Sequence, residues 1–134
     1  MKKDIPFLPV KDVTLAVVKR PTADEEAEWV VYLINRNDQP LENVMVTSKG
    51  YGELDGEQQK TSTLRHMFPL IDVGGATQVE SIHPQVFGLN NEYWVSYFIG
   101  RQLYDKKYIF VPDTILEDNL SYIDEIGLEG VLHP

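Results

Sequence analysis

The chain contains no cysteine, which excludes disulfides, thiolate metal sites and cysteine nucleophiles and fits a reducing, cytoplasmic setting. It also lacks any apolar run approaching the roughly 18 residues that a membrane-spanning helix needs, so no membrane is expected among its partners. Met1-Lys2-Lys3 could open a signal peptide, but Asp4, Pro6 and Pro9 interrupt the apolar run that should follow. Basic residues are scarce, with 12 Lys and Arg against 21 Asp and Glu and a net charge of -9. Binding to a phosphate backbone rests on cations that displace counterions, so nucleic acid is not an expected partner. After Lys107 neither Lys nor Arg occurs, while Asp113, Glu117, Asp118, Asp124, Glu125 and Glu129 follow and read as an acidic surface.

Extended helical periodicity is missing as well. Apolar residues recur mainly at the two-residue period of strands. Strands are expected over Val13 to Val18, Trp29 to Ile34, Val44 to Ser48 and Thr77 to Ile82, separated by polar or glycine-bearing turns. Asp55-Gly56 is the strongest local signal, because a type I′ hairpin turn requires positive φ at both central residues. It should join Val44 to Leu54 with Glu57 to Met67. A second hairpin, Tyr93 to Ile99 with Tyr104 to Val111, would put Tyr93, Val95, Tyr97, Ile99, Tyr104, Tyr108 and Phe110 on one core face. The opposite face then carries Trp94 and Phe98, which water would not leave uncovered without a reason.

Thr114 and Glu117 have the spacing of a capping box, which predicts a short helix whose Ile115, Leu116, Leu120 and Ile123 could lie over that face. With 134 residues and 43% hydrophobic residues, the chain has the material for one core. The fold expected is all-β: an immunoglobulin-like antiparallel β-sandwich of about seven strands with a short C-terminal helix. Residues 1–134 form one domain, and the acidic segment 113–134 packs on the sheet.

The stretch Trp29 to Ser48, with its hydrophobic strand, polar turn and Leu41-Glu42-Asn43-Val44-Met45-Val46, resembles the opening hairpin of Ig-like adhesion or lipoprotein modules. Ser48-Lys49-Gly50-Tyr51-Gly52, Asp55-Gly56-Glu57, Thr61-Ser62, Arg65-His66, Leu89-Asn90-Asn91-Glu92 and Leu103-Tyr104-Asp105-Lys106-Lys107 carry a wider resemblance. On these segments the chain is similar to a group of small bacterial proteins that bear the label phenylalanyl-tRNA synthetase α subunit. The label does not fit the residues. That catalytic subunit needs a large active-site domain with ATP-binding arginine motifs, and this short chain has four arginines.

No catalytic residue stands out. Ser48, Ser62 and Ser96 lack a nucleophile elbow, and Gly50-Tyr51-Gly52 lacks the lysine and helix of a phosphate loop. His83 and His133 have no metal-ligand spacing, so neither metal nor cofactor is expected. The candidate binding residues are Arg65, His66, Trp94, Asp105, Lys106 and Lys107. Arg65 and His66 can meet an anion, although neighbours on a strand point to opposite faces. The expected function is a non-catalytic protein-interaction module that meets a protein partner, or a second copy of itself, through a sheet edge. The alternative is a binder of a small anionic ligand, or an enzyme, that uses Arg65, His66, Lys106 and Lys107.

Overall fold

The computed structural model describes residues 9–24 and 26–133. The residues behind the signal-peptide argument fall mostly in 1–8, outside that range, as do Glu25 and Pro134. The described residues form ten strands: β1 (Val13–Arg20), β2 (Glu28–Asn35), β3 (Leu41–Leu54), β4 (Glu57–Lys60), β5 (Leu64–Ile71), β6 (Ala76–Ser81), β7 (Asn90–Ile99), β8 (Gln102–Phe110), β9 (Ser121–Ile123) and β10 (Leu128–His133). They make two antiparallel sheets. The first has the order β6-β2-β1-β10-β9, and the second β4-β3-β7-β8 with β5 also paired to β3. No helix among the described residues is long and apolar enough to cross a membrane.

The alternation read from the sequence decides which side chains are buried. Val13, Leu15 and Val17 of β1 and Val31 and Leu33 of β2 meet Val44 and Val46 of β3 in the gap between the sheets. Tyr93, Val95 and Tyr97 of β7 and Tyr108 and Phe110 of β8 close the same core. Burying this apolar surface at about 25 cal/mol per Å² is the main term holding the sheets together. Asp55 and Gly56 have φ of 55° and 81°, the geometry that a type I′ turn requires, and Leu54 pairs with Glu57 across it.

Three expectations change. The described residues make ten strands where about seven were expected, because the arm expected from Glu57 to Met67 is broken into β4 and β5 and the tail adds β9 and β10. Trp29 to Ser48 is not a hairpin: β2 lies in the first sheet and β3 in the second, so the polar turn between them is a crossover. Asn35 holds this crossover, its buried Nδ2 donating to the carbonyl oxygens of Gln39, Ile71 and Asp72. The predicted C-terminal helix is likewise replaced by a single 3₁₀ turn at Glu117–Asn119, followed by β9 and β10. Thr114 does not cap it, because its Oγ1 donates backwards to the Val111 carbonyl at 2.7 Å. A helix this short has little intrinsic stability, whereas the unpaired edge of β1 offers a ladder that β10 completes from Leu15↔His133 to Val18↔Gly130.

From Ser121 onwards the described part of the acidic segment therefore enters the first sheet as strands and does not lie on a sheet as a helix. Ile123 packs with Ala16, Val18 and Ile34 on the outer side of that sheet, joined by Ile126, Leu128 and Leu132. The tail thus completes an apolar cluster on the outer side of the first sheet, whereas among the described residues the outer face of the second leaves Met45, Met67 and Trp94 exposed.

Candidate functional site

Four strands build this open face. In β3 the residues Val44, Val46 and Ser48 turn inward, so Met45, Thr47 and Lys49 turn outward. The ladders carry that alternation across the sheet. Arg65 on β5 faces Thr47 on β3, Thr47 faces Trp94 on β7, and Trp94 faces Lys107 on β8. The next row runs Met67, Met45, Ser96 and Asp105. Phe98 and Leu103 pair beyond it, next to an irregularity in β3 where Asn43 has a φ of 48°. On the other side of the Arg65 row, Lys49 faces Glu92 with their charged atoms 3.7 Å apart.

The result is a shallow trough of about 590 Å³ with Met45, Met67, Trp94, Phe98 and Leu103 along its floor and walls. Met67 is 75% exposed and Trp94 45%. Trp94 is nevertheless held in place. Its Nε1 donates to Asp105 Oδ2 at 2.7 Å, and Lys107 Nζ stands 4.9 Å from the indole centroid. The hydrogen bond fixes the ring edge and the cation covers part of its face, so an incoming group meets a preset indole. Arg65 makes no ion pair among the described residues, unlike Arg20 with Glu28 and Arg36 with Glu125.

The six candidate residues consequently divide between two faces. Arg65, Trp94, Asp105 and Lys107 share the open face, while His66 and Lys106 point to the inner side. His66 Nε2 lies 2.7 Å from Glu80 Oε1. Ser48 Oγ donates to that same oxygen at 2.7 Å, and the Tyr93 hydroxyl donates to Glu80 Oε2 at 3.2 Å. Burial, reinforced by the Glu80 carboxylate, pushes the Tyr93 phenol far above its ordinary value.

This cluster ties β6 of the first sheet to β3, β5 and β7 of the second. It contains the residue types of a hydrolytic triad in a different arrangement. Ser48 and His66 converge on one carboxylate oxygen, so Ser48 is not hydrogen-bonded to the imidazole that would have to take its proton. Lys106 stacks its Nζ over the Tyr108 ring at 4.6 Å.

His83 Nδ1 accepts from the Gln85 amide, and His133 packs against the Tyr108 and Phe110 rings. Among the described residues no group of three or more His, Asp or Glu side chains is arranged to hold a metal. Met45, Met67 and Leu103 escaped the sequence reading. The signal that points to them is an apolar residue at the outward phase of a strand whose inward phase is already filled, as Met45 stands between Val44 and Val46. Neither the models of known protein families nor the curated proteins match this chain.

Proposed function

We propose that the chain is a non-catalytic, cytoplasmic protein-interaction module of immunoglobulin-like fold whose working surface is the open face of β5, β3, β7 and β8. The fold reading draws support from strand order: β1-β2-β6 and β3-β7-β8 follow the A-B-E and C-F-G orders of that fold, with β9 and β10 added beyond β1. The absence of cysteine supports a reducing setting.

One observation carries the functional reading: among the described residues a contiguous apolar strip stays uncovered on the second sheet, while on the outer side of the first the C-terminal strands pack their apolar residues into a cluster. The occupant we assign is a polypeptide segment with an apolar centre and acidic flanks. Arg65 and Lys107 end the Trp94 row three strand spacings apart, about 14 Å between backbones. They are cations in a chain whose net charge is -9, so this face can attract what the rest of the surface repels. The alternative site shared by Arg65, His66, Lys106 and Lys107 is not favoured, because alternation sends these four to two faces.

The test is selection of binders from a random peptide library on the immobilised protein, with Met67→Glu and Arg65→Glu proteins as parallel targets. Enriched peptides should combine aromatic or aliphatic residues with Asp or Glu and lose binding to both variants. Failure to enrich any sequence, or enrichment that both variants retain, contradicts the proposal.

A further inference from the structure

The second sheet ends in β8, and the backbone at that edge follows from the turn before it. Gly100 and Arg101 form a two-residue turn closed by the pair Ile99↔Gln102. Residues that flank such a turn exchange hydrogen bonds, and in an antiparallel ladder every second pair does so. Tyr104, Lys106, Tyr108 and Phe110 are thus bonded to β7, whereas the backbone groups of Leu103, Asp105, Lys107 and Ile109 face outward. No other strand pairs with this edge among the described residues.

The other edges are poorer templates. The same alternation, taken from the Leu54↔Glu57 turn and the bond from the Thr61 amide to the Gly50 carbonyl, places Arg65, Met67 and Pro69 outward on β5. Pro69 has no amide to offer there, as is common for an edge strand. In the first sheet β9 has three residues, and β6 has six with a register irregularity opposite β2. β8 has nine residues and no proline.

Its outward residues read Leu103, Asp105, Lys107, Ile109: apolar, negative, positive, apolar. Turned antiparallel, that order is its own complement. We propose that two copies of this chain join through β8, antiparallel about a twofold axis at Lys106. Asp105 then faces Lys107 of the second copy, Lys107 faces its Asp105, and Leu103 and Ile109 pair at both ends. All four facing pairs are of the hydrogen-bonded kind, as the outward backbone phase demands.

Shifting the register by two residues puts Asp105 against Asp105 or Lys107 against Lys107, which like-charge repulsion disfavours. At the axis Lys106 meets its own copy on the inner side, with its ammonium drawn towards the Tyr108 ring, 4.6 Å from the centroid. Lysines on an edge ordinarily discourage pairing, but here the neighbouring Asp105 supplies Lys107 with a partner. Pairing would also continue the Trp94 row of one copy into the Asp105 row of the other, so that Lys107 is shared with the second copy and Arg65 remains the cation at the far end of each peptide site. The inference shares the interaction-module reading but concerns the edge and not the face.

The experiment is sedimentation velocity on the full chain across a concentration series, with Asp105→Lys, Lys107→Asp and the double exchange. The parent should reversibly dimerise, and each single reversal should weaken the dimer by about tenfold or more, since both facing pairs turn repulsive. The double exchange should restore it. An equimolar mixture of the two single variants should dimerise more tightly than either does alone, which also shows that both are folded. A parent that stays monomeric throughout, or single variants that dimerise as the parent does, overturns the proposal. Binding of a selected peptide to the open face of the parent protein, measured across the same concentration series, separates that outcome from failure of the interaction-module reading.

Discussion

Replacing Asn35 with alanine should destabilise the fold by about 3 kcal/mol. The side chain is fully buried, and its Nδ2 lies 2.9 Å from the Gln39 carbonyl oxygen and 3.2 Å from those of Ile71 and Asp72. An amide nitrogen has two hydrogens, so these contacts amount to two full bonds shared among three acceptors. Oδ1 accepts a further bond from the Asn37 amide at 2.9 Å. Three bonds at about 1 kcal/mol each give the estimate, with water able to recover part of the loss at the more exposed carbonyls. The corresponding fall in melting temperature is roughly 9–15 °C for a domain of this size. Urea unfolding should show a lower midpoint at unchanged slope. Asn35→Asp, which keeps the acceptor and removes both donors, should lose at least as much. A loss below about 1 kcal/mol for the alanine variant would refute the view that Asn35 ties the crossover to the β5–β6 turn.

Gly130→Ala should cost about 1–3 kcal/mol by overpacking, because a Cβ there would stand 2.9 Å from the Val17 carbonyl oxygen and 2.8 Å from Ile123 Cδ1. An unchanged melting temperature would count against the β10–β1 pairing. In acid, hydrogen bonds from Arg20 and Ser81 hold the Glu28 carboxyl below its ordinary 4.5, and a hydrogen bond from Arg36 does the same for Glu125. Their stabilisation is therefore complete above 4.5 and is lost as pH falls through the lowered folded values, so Arg36→Gln should flatten the acid limb of a melting-temperature profile. Equal acid slopes in variant and parent would contradict this. Met67→Glu should leave stability within about 0.5 kcal/mol of the parent while abolishing peptide binding. A large drop in its urea midpoint would mean that Met67 is structural.

Much of the local structure was legible in the sequence. Asp55-Gly56 demanded a turn of one hand, and the inward phase of Tyr93 to Phe110 followed from alternation around a short loop. Which sheet each strand joins was not legible, because that depends on whether a polar turn folds the chain back or crosses the core. Asn35 to Asn43 has the composition for either, and only the carbonyl partners of Asn35 from the distant Ile71 and Asp72 decide it. The capping-box spacing at Thr114 and Glu117 misled for a related reason: a local signal worth about 1 kcal/mol competes with a whole ladder along β1. The open-face row of Arg65, Thr47, Trp94 and Lys107 draws one residue from each of four strands. Its members lie far apart in sequence, and only the registers of three ladders bring them side by side.

The central claim is that partners bind on the open face of β5, β3, β7 and β8. Hydroxyl-radical footprinting of the full chain, with and without a peptide selected on the immobilised protein, addresses it most directly. The account predicts that Met45, Met67 and Trp94 are protected by the peptide while Tyr122, exposed on β9 of the other sheet, reacts equally in both samples. Protection of Tyr122 with undiminished oxidation of Met67 and Trp94 would contradict it.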